Sequence, residues 1–219
     1  MGHTMVRYEE FIKKFAGEFA ENSIIEPDEF PDMELYADQV SELISSRLSV
    51  YGKNPLLTKS MIGDFVKKGL LRAPDKKQYN REQMIMMELI LCLKTAYKPK
   101  DMAAIMKPFV ENSESALDEK IDFYNLYENL APVYKKQRRE AADRVVASID
   151  TIKGAMRETG LDDDDALEIF LVLLSIAIEV DTAMYIGKRL LREYFEDPKK
   201  SKPEKPAKTP KTAKSGKTI

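Results

Sequence analysis

A chain of 219 residues with 43% hydrophobic and 33% charged side chains has an ordinary globular mix, enough for one large domain or two small ones. Its single cysteine, Cys92, excludes an intramolecular disulfide framework, and the charged opening (Arg7, Glu9, Glu10, Lys13, Lys14) excludes a secretory signal, so a reducing, cytoplasmic setting is expected. The net charge of −2 conceals segregation: residues 1–52 carry −7, 53–100 carry +7, 101–197 carry −9 and 198–219 carry +7. A basic block between acidic flanks points to a polyanion site and argues against indiscriminate coating of nucleic acid.

Taken in chain order, Gly2-His3-Thr4-Met5 reads as an appended opening, with Met5 the natural start. Residues 6–21 place Tyr8, Phe11, Ile12, Phe15 and Phe19 on one helical stripe. Pro27 and Pro31 break the chain. A helix is expected over 32–48, with Tyr36, Val40, Leu43, Ile44 and Leu48 on one face, and a turn over 51–55. A short helix follows over 58–68, capped by Thr58 and ended by Gly69. Pro74 forces 70–79 to be extended, and Asp75-Lys76-Lys77 suits a tight turn, so a small hairpin here is the one sheet expected.

Asn80 and Gln83 have capping-box spacing for a helix over 80–97, which Pro99 stops. A short helix over 100–109 is interrupted by Pro108, and 113–129 is weakly patterned helix. Pro132 is expected to open a further helix, which Gly160 ends. The longest helix, 162–196, is apolar at nearly every position from Ala166 to Val180. The tail from Pro198, rich in Lys, Pro, Ala, Thr and Ser, cannot bury enough apolar surface to fold. The expected organisation is an N-terminal helix (1–30), a head (31–110), a helical region that dimerises or senses (111–197) and a basic tail (198–219).

The order around the basic block is distinctive: short helix, Gly69-Leu70-Leu71, a Pro-bearing turn, Tyr79, capped helix. It resembles the DNA-binding head of the MerR family, a winged helix-turn-helix. Ile62 and Phe65 fall on the buried side of the recognition helix, Lys77 and Tyr79 match the wing's Arg and Tyr, and Leu93-Lys94 with Tyr97–Met102 resembles the closing segment. Two departures stand out. Gly63 replaces the recognition-helix Arg, and the preceding helix is longer and more acidic. Both, with the string from Phe30 to Val40, resemble a narrower bacterial family of uncharacterised function, "domain of unknown function 1836", over about residues 31–108. The resemblance implies an all-α fold, with a small wing hairpin and a C-terminal bundle, that binds double-stranded DNA.

On the expected recognition helix Lys59, Ser60, Gly63, Asp64 and Lys67 face outward, and Lys76, Lys77 and Gln78 form the wing, with Arg72 and Arg81 at its base. A helix N-terminus in the major groove brings partial positive charge and side chains to base edges, while wing lysines reach phosphates. Other features have plainer readings. Cys92 and Met84-Ile85-Met86-Met87 read as core. The run Asp162 to Asp165 reads as a helix cap before a metal site. The apolar run 166–180, broken by Glu168 and Glu179, reads as a core or oligomer helix, too short to span a membrane. The basic tail suits either polyanion attraction or solubility. No nucleophile with a base partner and no phosphate loop appears, so neither enzyme activity nor a cofactor is expected. The favoured function is a dimeric transcriptional regulator with any effector unspecified; the rival is a helical interaction module that keeps the scaffold without reading DNA.

Overall fold

The computed structural model describes residues 8–48, 50, 52, 56–110, 122–161 and 164–196. Among them lie seven α-helices and one two-stranded sheet: α1 (Tyr8–Asn22), β1 (Leu35–Tyr36), α2 (Ala37–Arg47), α3 (Lys59–Lys67), β2 (Gln78–Tyr79), α4 (Arg81–Lys94), α5 (Pro99–Val110), α6 (Phe123–Thr159) and α7 (Asp165–Leu191). A 3-10 turn occupies Pro27–Glu29 and a π-helical turn occupies Arg192–Glu196. The chain is therefore mostly helical, as its periodicity implies. The turn expected over 51–55 falls almost wholly outside the described residues. So do 113–121 of the weakly patterned helix, the opening residues and the tail.

Local chemistry fixes most boundaries. Thr58 accepts from the Met61 N–H at 3.2 Å, which satisfies an orphan donor at the start of α3. Gly69 ends that helix at φ +67, and the Leu70 N–H closes onto Phe65 O at 2.8 Å. Asn80 and Gln83 bond reciprocally at 2.9 and 3.0 Å to open α4. Asp164 caps α7 by accepting from Leu167 N–H, and Gly160 ends α6 at φ +70.

Four expectations need correction. Pro108 does not interrupt its helix but lies inside α5, which continues to Val110. The helix expected from residue 32 begins at Ala37, because Leu35 and Tyr36 are drawn into a sheet opposite Tyr79 and Gln78. The tight turn does form: Gln78 N–H donates to Asp75 O at 2.7 Å, with Lys76 and Lys77 both at positive φ, as a type I′ turn requires. Yet apart from one bridge between Asp75 and Gln78, its ladder runs to β1 and not back along 70–75. Pro132 does not open a helix. It lies inside α6, which runs unbroken for 37 residues, and its missing N–H leaves one carbonyl without a helical donor.

One core cluster extends from Ile24 to Ala131. Met84, Ile85, Met86 and Met87 of α4 sit at its centre, met by Val40 and Ile44 of α2, Ile62 and Phe65 of α3, and Phe30. The first turns of α6 close it through Tyr127 and Ala131, with the Tyr127 ring edge-on to Phe30 at 5.7 Å. Beyond Ala131, α6 and α7 form an antiparallel hairpin, registered by Lys153–Glu168 at 3.4 Å and Arg144–Glu179 at 3.9 Å. Ile149, Met156 and Val172 are buried within it. Helix α1 lies along α6, where Arg139 pairs with Glu21.

Candidate nucleic-acid interface

Helix α3 is amphipathic in the sense expected. Ile62 and Phe65 are buried, while Lys59, Ser60 and Lys67 are exposed. Gly63 and Asp64 are half-buried, and a Cβ built at Gly63 would meet open space. The absence of a side chain there is thus not a packing requirement. Asp64 lies 4.0 Å from Lys68 one turn on.

The β1–α2 junction gathers the outward groups. Lys59, at the start of α3, lies 4.0 Å from Asp38. Two residues before Asp38, Tyr36 pairs with Gln78, the residue after the turn lysines. Lys76 and Lys77 are both exposed at the tip of that turn. The first turn of α3 and the basic turn thus both lie beside residues 36–38. Tyr79, the next residue of β2, is buried at 5% exposure and ties the turn to the core.

Arg72 and Arg81 are placed differently. Arg81 donates from Nε to Phe30 O at 2.8 Å, pairs with Asp32 at 2.7 Å and lies 4.5 Å from the centre of the Tyr124 ring. Its guanidinium is committed to holding α4 against the segment before β1. Arg72 is half-buried, and its carbonyl accepts from the Gln83 side chain at 3.2 Å. Both sit at the base of the turn and stiffen it, whereas the exposed lysines are its reach.

A buried polar network escapes sequence inspection. Glu88, on the core face of α4, is 1% exposed. It accepts from Ile25 N–H at 3.1 Å and lies 2.7 Å from the Tyr127 hydroxyl, which also lies 2.8 Å from Ile25 O. Burial pushes its carboxyl up to about 7, against the opposing pull of the Tyr127 and Ile25 hydrogen bonds. The geometry suits a proton: a protonated Glu88 donates to Tyr127, which then donates to Ile25 O, and every group is satisfied. The one available signal is a lone acid inside an apolar helical run. Cys92, one turn further along α4, is half-buried, not fully core, and burial pushes its thiol up.

Comparison with known proteins bears on the same stretch. Residues 25–130 match the family model described as "Domain of unknown function (DUF1836)", almost residue for residue the span of the Ile24–Ala131 core. No curated protein and no solved structure matches the chain.

Proposed function

We propose that this protein is a DNA-binding transcriptional regulator of the bacterial cytoplasm, reading duplex DNA with a MerR-like winged helix-turn-helix over about residues 32–106. The observation that carries the proposal is the proximity of two exposed basic elements, the start of α3 and the Lys76-Lys77 turn, to the same residues 36–38 inside a block of net charge +7. In this reading α3 enters the major groove with Lys59, Ser60 and Lys67 outward, and the left-handed turn reaches a phosphate with Lys76 and Lys77. The element order supports it: a helix pair, then a turn whose strand returns to the strand before the first helix.

The rival, an interaction module without DNA readout, is favoured by one observation: Asp38, Asp64 and Asp32 each face a basic residue of the block. The first two pairs are 4.0 Å long between side chains at least half exposed. Such pairs are worth about 0–1 kcal/mol, which a phosphate readily displaces.

The C-terminal hairpin supplies the second subunit in this proposal. With the π-helical turn, α7 makes an apolar helix of 31 residues, Asp165–Phe195, long and apolar enough by length and composition to cross a membrane, with a mean hydropathy of 2.0 in its most apolar stretch. The helix thus extends well past the apolar run of 166–180, which taken alone is too short to span. A bilayer is nonetheless a poor partner. Glu168 and Glu179 pair with α6, and α6 carries Lys136, Arg139, Asp143 and Arg144 exposed along its length, so lipid around α7 would meet those charges too. A second copy offers apolar surface without that cost, and two-fold DNA proteins read palindromic sites this way.

The test is a salt titration of binding to random genomic duplexes, with the parent chain beside Lys76→Ala/Lys77→Ala. Binding that weakens with salt, and a slope lower by about one to two units in the variant, is expected. An unchanged slope in a folded variant contradicts the proposal.

A further inference from the structure

Between α4, α5 and the first half of α6 lies a cavity of about 590 Å3, lined also by Ile24. Well-packed interiors leave few voids larger than a water molecule. A volume of this size belongs instead to the range of small-molecule pockets, which are apolar with a few fixed polar groups. The walls here fit that description: Leu89, Leu93, Met106, Phe109, Phe123 and Leu130 supply apolar surface from three helices.

The polar groups are few and differ in availability. Glu88 has each carboxyl oxygen within hydrogen-bond distance of a partner, Ile25 N–H and Tyr127. Among the described residues Arg138 is the one cation lining the cavity. Its guanidinium is fixed from two sides, donating to Ser23 O and to Cys92 Sγ, and it lies 5.3 Å from the centre of the Phe19 ring. Those bonds engage Nη1 and Nη2, and a guanidinium has five N–H donors. Among the described residues no carboxylate lies within ion-pair distance of it. A pre-positioned cation beside an apolar pocket selects against an apolar cation and favours an apolar anion, because a charge-assisted bond formed in apolar surroundings is stronger than one formed in water.

We propose that this cavity is a ligand site for an amphipathic monocarboxylate, its apolar body between α4, α5 and α6 and its carboxylate on Arg138. The cavity is walled by the same α4 that carries the wing through its Asn80 cap, so an occupant touches the helix on which the basic turn is built. The site stands whether or not the chain reads DNA, because occupancy is measured without DNA.

The experiment is calorimetric titration of the full chain with dodecanoate below its micelle concentration, beside dodecanol and dodecylammonium. Saturable binding of one dodecanoate per chain is expected, with both analogues weaker by roughly tenfold or more, the scale of a hydrogen bond to a charged group. Arg138→Gln should lose that discrimination and Arg138→Lys should keep part of it. Because Arg138 also holds Ser23, a second variant, Leu130→Trp, narrows the cavity while leaving Arg138 in place and should weaken dodecanoate and dodecanol alike. Equal affinity for all three probes, no binding, or dodecanoate affinity unaffected by both Arg138→Gln and Leu130→Trp overturns the proposal.

Discussion

The two ends of α6 belong to different kinds of structure. Its first turns complete a core in which α2, α3, α4 and the segment around Phe30 enclose one another, and the large apolar side chains there are almost fully buried. Its second half meets only one side of α7, where Phe170, Leu173, Leu174, Ile178, Ile186 and Leu190 remain exposed. Of α7 itself, only Glu168, Val172 and Leu191 are buried. A helix apolar all round must be covered all round, and a hairpin covers one face. The difference separates a unit that closes by itself from a hairpin that leaves one apolar face exposed. The family match ends at residue 130, close to where the closed core ends.

The sharpest contrast comes from removing one phenylalanine from each region. Phe30 is 0% exposed and packs edge-on to Tyr127, so Phe30→Ala should cost about 3–5 kcal/mol in denaturant unfolding, at every protein concentration. Phe170 is 58% exposed, so Phe170→Ala should cost little in a dilute sample and appear as lost stability only where a dimer is populated. Equal, concentration-independent losses would erase the distinction.

The core's buried acid gives the next largest effect. Folding holds the Glu88 proton up to about pH 7, against the ordinary glutamate value of 4.5, so the carboxyl's contribution is fully present below about 4.5 and is lost as pH rises through about 7. The loss is about 3 kcal/mol. Glu88→Gln donates to Tyr127 at any pH, so its unfolding free energy should be flatter between pH 5 and 7.5 and exceed the parent's at pH 8. A parent whose stability rises across that window contradicts this account of the network.

Least in size is Gly63→Ala. The position is helical with open space beyond it, so alanine should add about 0.5–1 kcal/mol by thermal melting. A loss there would mean that α3 is not a regular helix at this point.

How much of this was legible in the sequence follows the range of each interaction. Thr58, Gly69, Asn80 with Gln83, and Gly160 act within a few residues, and each sits where its chemistry implies. Phe65 and Tyr79 are buried as the helix and wing pattern requires. Leu35 and Tyr36 were invisible as a strand because their partners lie more than forty residues away. Pro132 carries the same local signal whether it starts a helix or is tolerated inside one, and only packing decides. Glu88 meets Ile25 and Tyr127 across 63 and 39 residues, and Arg138 meets Ser23 across 115, so both the network and the cavity's cation depend on folded geometry. The outward residues of α3 were readable by periodicity, whereas the role of Arg81 as a tie to Phe30 and Asp32 was not.

The proposal that the exposed face of the hairpin pairs with a second copy is tested most directly by sedimentation equilibrium of the full chain at micromolar concentration, beside Leu173→Glu/Ile178→Glu. The account predicts a parent species of about twice the 25.1 kDa chain mass and a folded monomer for the double variant, since two charges on the apolar face cannot be buried against a second copy. A parent that sediments as a monomer, or a double variant that remains dimeric, contradicts it.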